Sequence, residues 1–183
     1  MRFEKFEDAI IEINGVTNPQ FLKLLIDYAD KKCMKKLATL DTSLEYRNVY
    51  GHTLTQTSIS DAAHFLNIQK EIMKGYSHYK FKFPHIAVSK VTQIDLLKYK
   101  EGGGYFYHTD DYDHGRTLSV ILNLNEGYEG GDIIFGHQNL REELKRIKMK
   151  SGTMCFFPSN FLYPHKIEKI TKGTRYSVVA WLG

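Results

Sequence analysis

Cysteine is almost missing from this chain: two of 183 residues, Cys33 and Cys155. Two thiols so far apart in sequence make neither a disulfide framework nor a zinc-ribbon spacing, so both read as buried or idle. With four prolines and 14 glycines the chain also falls outside the collagen-like and low-complexity classes. No apolar run approaches the roughly 20 residues that cross a bilayer. The start, Met1-Arg2-Phe3-Glu4-Lys5, leads into no signal-peptide core, and a cytoplasmic location is the default expectation. Neither sign of charge dominates. Twenty-five Lys and Arg stand against 21 Asp and Glu, a net +4, which permits an acidic partner without requiring one. What is present is 42% hydrophobic, 25% charged and 13% aromatic residues, the make-up of one globular domain over residues 1–183. A chain of this length buries roughly two-thirds of its unfolded surface.

Two stretches carry helical periodicity. Over 21–36, Leu22, Leu25, Ile26, Ala29 and Cys33 recur at three- and four-residue steps, with Asn18-Pro19 at the helix start. A second helix follows Ser60-Asp61 as N-cap and shows Phe65, Ile68 and Ile72 on one face, ending at Gly75 as C-cap. Between them, 39–60 is polar and aperiodic, a long connection and a candidate substrate loop. Its Tyr46, Arg47, Tyr50 and His52 read as solvated rather than as site residues. After Pro84 the texture changes to short β-rich runs at 87–99, 117–124, 132–135, 146–149, 153–157, 165–170 and 175–182, separated by Gly-rich turns. Segment 138–145 is charged and helix-friendly, a surface excursion between strands. The expected architecture is α+β, mainly β: residues 1–85 supply helical support and a polar loop, and 86–183 a curved β-core.

Within that core, Tyr105-Phe106-Tyr107-His108-Thr109-Asp110 sets a histidine and an aspartate two residues apart, so on an extended strand both leave one face. A metal held by both needs a third donor, and Tyr163-Pro164-His165 offers the best one. His108, Asp110 and His165 then make a two-histidine, one-carboxylate set with open coordination positions, the arrangement associated with non-haem Fe(II). Ten residues on, Gly173-Thr174-Arg175-Tyr176-Ser177 runs into Val178-Val179-Ala180-Trp181-Leu182, which turns Arg175 and Ser177 to one face of an apolar strand. An inward arginine needs an anion. Its fork, with a serine hydroxyl beside it, suits the distal carboxylate of a dicarboxylic cosubstrate such as 2-oxoglutarate. His114, close to Asp110, is the other histidine near this motif.

From about residue 91 to 183, half of the chain, the sequence resembles the 2-oxoglutarate and Fe(II)-dependent oxygenases of the prolyl 4-hydroxylase-like superfamily. The matching pieces come in order: Tyr99-Lys100-Glu101-Gly102-Gly103-Gly104-Tyr105, His108-Thr109-Asp110, Tyr128-Glu129-Gly130-Gly131-Asp132, Phe157-Pro158-Ser159, and His165 through Ser177. Arginine at 175, where collagen prolyl hydroxylases of animals often have lysine, leans towards the bacterial, phage and lysyl-hydroxylase-like branches. The resemblance implies a double-stranded β-helix, or jelly roll, with iron held by His108, Asp110 and His165 and the far carboxylate of 2-oxoglutarate held by Arg175. It further implies that Ser177, Tyr99 and Tyr105 line the cosubstrate pocket, and that Asn123 stands where some members place a tyrosine contact. Fe(II), 2-oxoglutarate and O2 are the implied cofactor and cosubstrates, with ascorbate as reductant. The implied reaction is hydroxylation of an unactivated C–H with release of succinate and CO2, on a prolyl residue of a peptide or protein first. Asp110 argues against halogenation, since related halogenating enzymes lack that carboxylate.

Three other readings compete. A small molecule or free amino acid would serve as substrate in the same chemistry. A nucleic-acid demethylase is disfavoured, because those relatives carry a second arginine six residues after the first and this chain has Trp181 there. A non-catalytic metal-containing β-barrel binding module would need a fourth closing ligand, and the sequence offers no obvious one. No membrane partner is expected, and a monomer or weak dimer is.

Overall fold

The computed structural model describes residues 6–14, 18–33, 35–37, 47–111, 115–137 and 142–183. After a 3-10 turn at Phe6–Ala9 and strand β1 (Ile11–Ile13), the first periodic stretch folds as α1, Pro19–Lys32. Asn18 caps it by accepting from the Gln20 amide at 2.9 Å, and Pro19 takes the first turn, where a missing N–H costs nothing. Leu22, Leu25 and Ala29 are its buried stripe. The helix ends four residues short of the expected Lys36, because Lys35–Lys36 form β2 instead. Cross-strand pairing overrode local periodicity: Lys35 and Lys36 lie opposite Gly51 and Tyr50.

Strands β3 (Arg47–Asn48) and β4 (Tyr50–Thr53) lead to α2, Ile59–Lys82. The cap is Ser58 rather than Ser60, and Gly75 does not stop the helix. The stripe Phe65, Ile68, Ile72 continues through Tyr76 and Tyr79, and Gly75 lies where α2 crosses a sheet. A Cβ there would sit 2.9 Å from the Phe156 ring and 3.0 Å from Met154 Sδ. The glycine is a packing residue, not a terminator.

The remaining strands are β5 (Val91–Tyr99), β6 (Gly104–His108), β7 (Leu118–Asn123), β8 (Glu129–Gly130), β9 (Ile133–Gly136), β10 (Glu143–Ile147), β11 (Met154–Pro158), β12 (His165–Ile167), β13 (Ile170–Lys172) and β14 (Arg175–Leu182). Part of the expected charged excursion is thus strand: Glu143 to Lys145 pair with β9, while 138–141 lie outside the described residues. The antiparallel sheets have orders β1-β11-β7-β14-β5-β4-β2 and β10-β9-β12-β6-β3, with a small β13-β8 pair.

Two apolar clusters set the layers. Leu96, Val120, Leu122, Phe156 and Val178 face the helices, together with Leu25, Ile68 and Ile72. Their strand neighbours Leu97, Ile121, Cys155 and Phe157 face Ile133, Phe135, Ile147 and Ile167 of the smaller sheet. The larger sheet is buried on both sides, which explains why its strands read as continuous apolar runs. The result is the expected jelly roll backed by helices. The first 85 residues add more than support, since β1, β2 and β4 extend the larger sheet and β3 the smaller.

Candidate metal centre

His165 on β12 and His108 on β6 lie directly opposite each other in the smaller sheet, which brings their rings to 4.3 Å between centroids. Strand β6 ends at His108, so Asp110 reaches the same place from the bend that follows rather than from the strand face. Asp110 Oδ1 lies 3.6 Å from His108 Nε2 and 4.0 Å from His165 Nε2. One ligand atom from each of the three residues falls within 4.8 Å of the others, and this is the metal-competent cluster among the described residues. His114 lies outside them.

Both imidazoles are held in the form that binds a metal. His108 Nδ1 is 2.8 Å from the Phe106 carbonyl and His165 Nδ1 is 3.2 Å from that of Tyr163. A carbonyl only accepts, so each Nδ1 carries a proton, and in the neutral imidazole each Nε2 then turns its lone pair to the centre. Burial, followed by neighbouring His165, pushes His108 below the ordinary histidine range. Burial opposes ionisation of Asp110, but His165, His108 and the Ser119 hydroxyl outweigh it and hold the carboxyl below its usual value. A neutral imidazole beside a carboxylate is the charge state a divalent cation requires. Aromatic rings seal the site: Tyr105 stacks on His108 at 3.6 Å, and Phe157 meets His165 edge-on at 4.7 Å.

Arg175 opens β14 opposite Tyr99 and is only 1% exposed. Its guanidinium lies 5.3 Å from the Tyr99 ring centroid, and Nη1 donates to Ser177 Oγ at 3.3 Å. Nε and Nη2 are buried with no hydrogen-bond partner among the described residues. These two N–H groups form the fork that grips a carboxylate side-on, and burying them unsatisfied would cost about 1–3 kcal/mol each. Gly131, at φ 73°, makes the room: a Cβ there would lie 3.0 Å from Arg175 Cδ. The donor set therefore fits both groups, with nitrogen and oxygen ligands for Fe(II) and a waiting anion clamp for 2-oxoglutarate.

Tyr99 is buried, and burial raises its phenol above the ordinary range against the pull of Arg175. Asn123 pairs across to Ser177, but its amide is engaged elsewhere. It donates to the Asn125 carbonyl at 2.6 Å and accepts from Tyr128 Oη at 3.1 Å. Three residues absent from the expected site belong beside it. Ser119 donates to Asp110 Oδ2 at 2.6 Å, and Ser159, in the Phe157-Pro158-Ser159 run, lies 2.9 Å from Ser119. Arg47, read from sequence as part of a solvated loop, sets its guanidinium 4.7 Å over the Tyr105 ring. Only the pairing of β3 with β6 reveals that, because Arg47 and Tyr105 are far apart in the chain. A groove of about 350 Å³ alongside β6 and β12 shares Tyr105 with the site, but none of the three candidate ligands lines it.

Residues 94–183 match the family model of the 2OG-Fe(II) oxygenase superfamily. A PKHD-type hydroxylase from Thermosynechococcus vestitus is 33% identical over 145 residues, 73% of this chain and 62% of its own length. Prolyl 3-hydroxylase 2 of Homo sapiens is 36% identical over 66 residues, 36% of this chain. The chain thus spans 9% of that human enzyme and under two-thirds of the cyanobacterial one. Among solved structures, a Pseudomonas putida prolyl-4-hydroxylase superposes with a TM-score of 0.75 at 16% identity, over 97% of this chain and 96% of that one. A Trichoplax adhaerens prolyl hydroxylase, solved with a hypoxia inducible factor peptide, gives 0.76 at 16% identity over 95% and 83%. At such identities the two structures share the fold.

Proposed function

Because residues 94–183 belong to the 2OG-Fe(II) oxygenase superfamily, we propose that this chain is an Fe(II)- and 2-oxoglutarate-dependent dioxygenase that hydroxylates a prolyl residue of a peptide or protein. The observation that carries the reading is the buried Arg175 fork, whose Nε and Nη2 have no hydrogen-bond partner among the described residues, on the same β-core as the His108, Asp110 and His165 cluster. Bound there, iron with 2-oxoglutarate and O2 supplies the oxidation of a C–H bond to an alcohol, with succinate and CO2 as co-products.

The chain's own residues do the rest. His108 and His165 turn their Nε2 atoms, and Asp110 a carboxylate oxygen, to the centre. Arg175, steadied by Ser177, fixes the far end of the cosubstrate, and Tyr99 packs against the guanidinium. Tyr105, Phe157 and Phe135 keep water from the histidines, so that reactive species meet the bound C–H rather than solvent. No side chain need move a proton in this chemistry.

The same proposal takes 1–183 as one oxygenase domain and includes ascorbate as external reductant. A cytoplasmic setting is supported by two free, buried cysteines, and no helix among the described residues is long and apolar enough to cross a membrane. The prolyl choice draws on the names of the hydroxylases to which the chain is similar. The test is succinate release from 2-oxoglutarate with Fe(II), with and without proline-containing peptides, and mass spectrometry for a gain of one oxygen on proline. Turnover stimulated by a free amino acid but by no peptide would move the proposal to a small-molecule substrate. Absence of iron binding and of any succinate would sink it.

A further inference from the structure

The two oxygens of Asp110 stand in different surroundings. Oδ1 faces the histidines at 3.6 Å and 4.0 Å, whereas Oδ2 accepts the Ser119 hydroxyl at 2.6 Å. Ser119 is 0% exposed and Ser159 1%, and their oxygens lie 2.9 Å apart. A serine carries one hydroxyl proton, and an ionised carboxylate can only accept. Ser119 therefore spends its proton on Asp110, and the contact between the serines is donated by Ser159. The relay has one direction, Ser159 to Ser119 to Asp110. Packing does not ask for two hydroxyls here, since the neighbouring positions Val120, Ile121, Phe156 and Phe157 are all buried apolar residues. Arg116 reaches the same turn: its Nη1 donates to the Asp110 carbonyl at 3.4 Å, while its guanidinium stacks on Trp181 at 3.8 Å and its Nη2 donates to Gln93 Oε1 at 3.0 Å.

Resting on the iron-site reading above, we infer that Ser119, backed by Ser159, is a positioning residue that decides which Asp110 oxygen reaches the metal. With Oδ2 tied to Ser119, Oδ1 would be the oxygen that Asp110 offers to a metal, one oxygen rather than two. Without the serine, the carboxylate is free to turn and offer both oxygens.

Co(II) titration of the purified protein, followed by calorimetry and by visible absorption, tests this without turnover. Ser119→Ala is expected to weaken Co(II) binding by about 10–100-fold, the usual effect of losing a partner of a metal ligand. It is also expected to alter the Co(II) absorption and to weaken 2-oxoglutarate binding to the loaded protein. Ser119→Thr, which keeps the hydroxyl, restores most of each. Ser159→Ala gives a smaller loss in the same direction and serves where Ser119→Ala does not fold. A purely structural serine would lower the melting temperature of the metal-free protein and leave Co(II) affinity and spectrum unchanged, which overturns the inference. If the wild-type protein binds Co(II), loses it in His108→Ala and keeps it unchanged in the serine variants, only this inference falls. If the wild-type protein binds none, the iron-site reading fails and takes this one with it.

Discussion

Directly opposed histidines on β6 and β12 cannot substitute for one another, because each Nε2 is aimed by its own backbone carbonyl. His108→Ala and His165→Ala are each expected to abolish stoichiometric Fe(II) binding, measured by metal analysis after gel filtration. Arg175→Ala is expected to separate the functions. Metal binding stays, and affinity for 2-oxoglutarate falls by about 10–100-fold, the worth of a charge-assisted contact of about 1.5–3 kcal/mol. Calorimetry on the metal-loaded variant measures it, and unchanged affinity would remove Arg175 from the cosubstrate site. Arg175, His108 and Asp110 were legible in the sequence because chemistry restricts which residue types can serve, and short motifs preserve their spacing. Ser119 and Arg47 were not. A serine in an apolar strand and an arginine in a polar loop are ordinary, and their partners Asp110 and Tyr105 reach them only through folding.

At the scale of elements, α1, β4 and α2 are joined at one buried carboxylate. Asp61 accepts from Tyr28 Oη at 2.5 Å, from His52 Nε2 at 3.0 Å and from the Thr55 amide at 3.3 Å. Burial opposes its charge, but the Tyr28 and His52 bonds prevail and hold the carboxyl well below the usual range. A folded value below the unfolded one, near 3.9, means stabilisation that is fully present above about pH 4 and drains away as pH falls towards the folded value. Asp61→Asn is expected to cost about 2–3 kcal/mol at neutral pH and to flatten the acid limb of a melting-temperature profile. From sequence the residue was a helix cap, and its neighbours in space make it a junction. Gly75 makes the same point through packing. Gly75→Ala gains about 1 kcal/mol of helix propensity but forces a methyl against the Phe156 ring, an overpacking cost of about 1–3 kcal/mol. A net loss in thermal melting of a few degrees is expected, and a gain would show that the ring can retreat.

For the whole molecule, the helices and the β-core share one apolar layer. Ile94, Leu96, Val120, Leu122, Phe156 and Val178 are covered by α1 and α2, and β1, β2 and β4 complete the same sheet. Residues 86–183 expressed alone are expected to be insoluble or to bind hydrophobic dye, since so large an exposed apolar face is unstable in water. A soluble fragment with cooperative melting would show the β-core to be a separate folding unit. Part of the lysine content also finds a place at this scale. Lys35 and Lys36 form β2, one of the two edge strands of the larger sheet among the described residues, where charged side chains discourage edge-to-edge association.

Periodicity and residue chemistry were enough to point to two helices, a β-core, the two histidines and carboxylate of the candidate metal set, and the buried arginine with its serine. These are local or depend on residue type, and such information survives in a linear string. Tertiary structure alone decided where α1 stops and α2 continues, because strand pairing at Lys35 and the fit of Gly75 against Phe156 outweigh local propensity. It also decided that Asp110 arrives from a bend and that Ser119 and Ser159 stand behind it. Hydrogen bonds between residues 9 and 40 positions apart leave no periodic trace, and only closure of the sheets brings their atoms within reach.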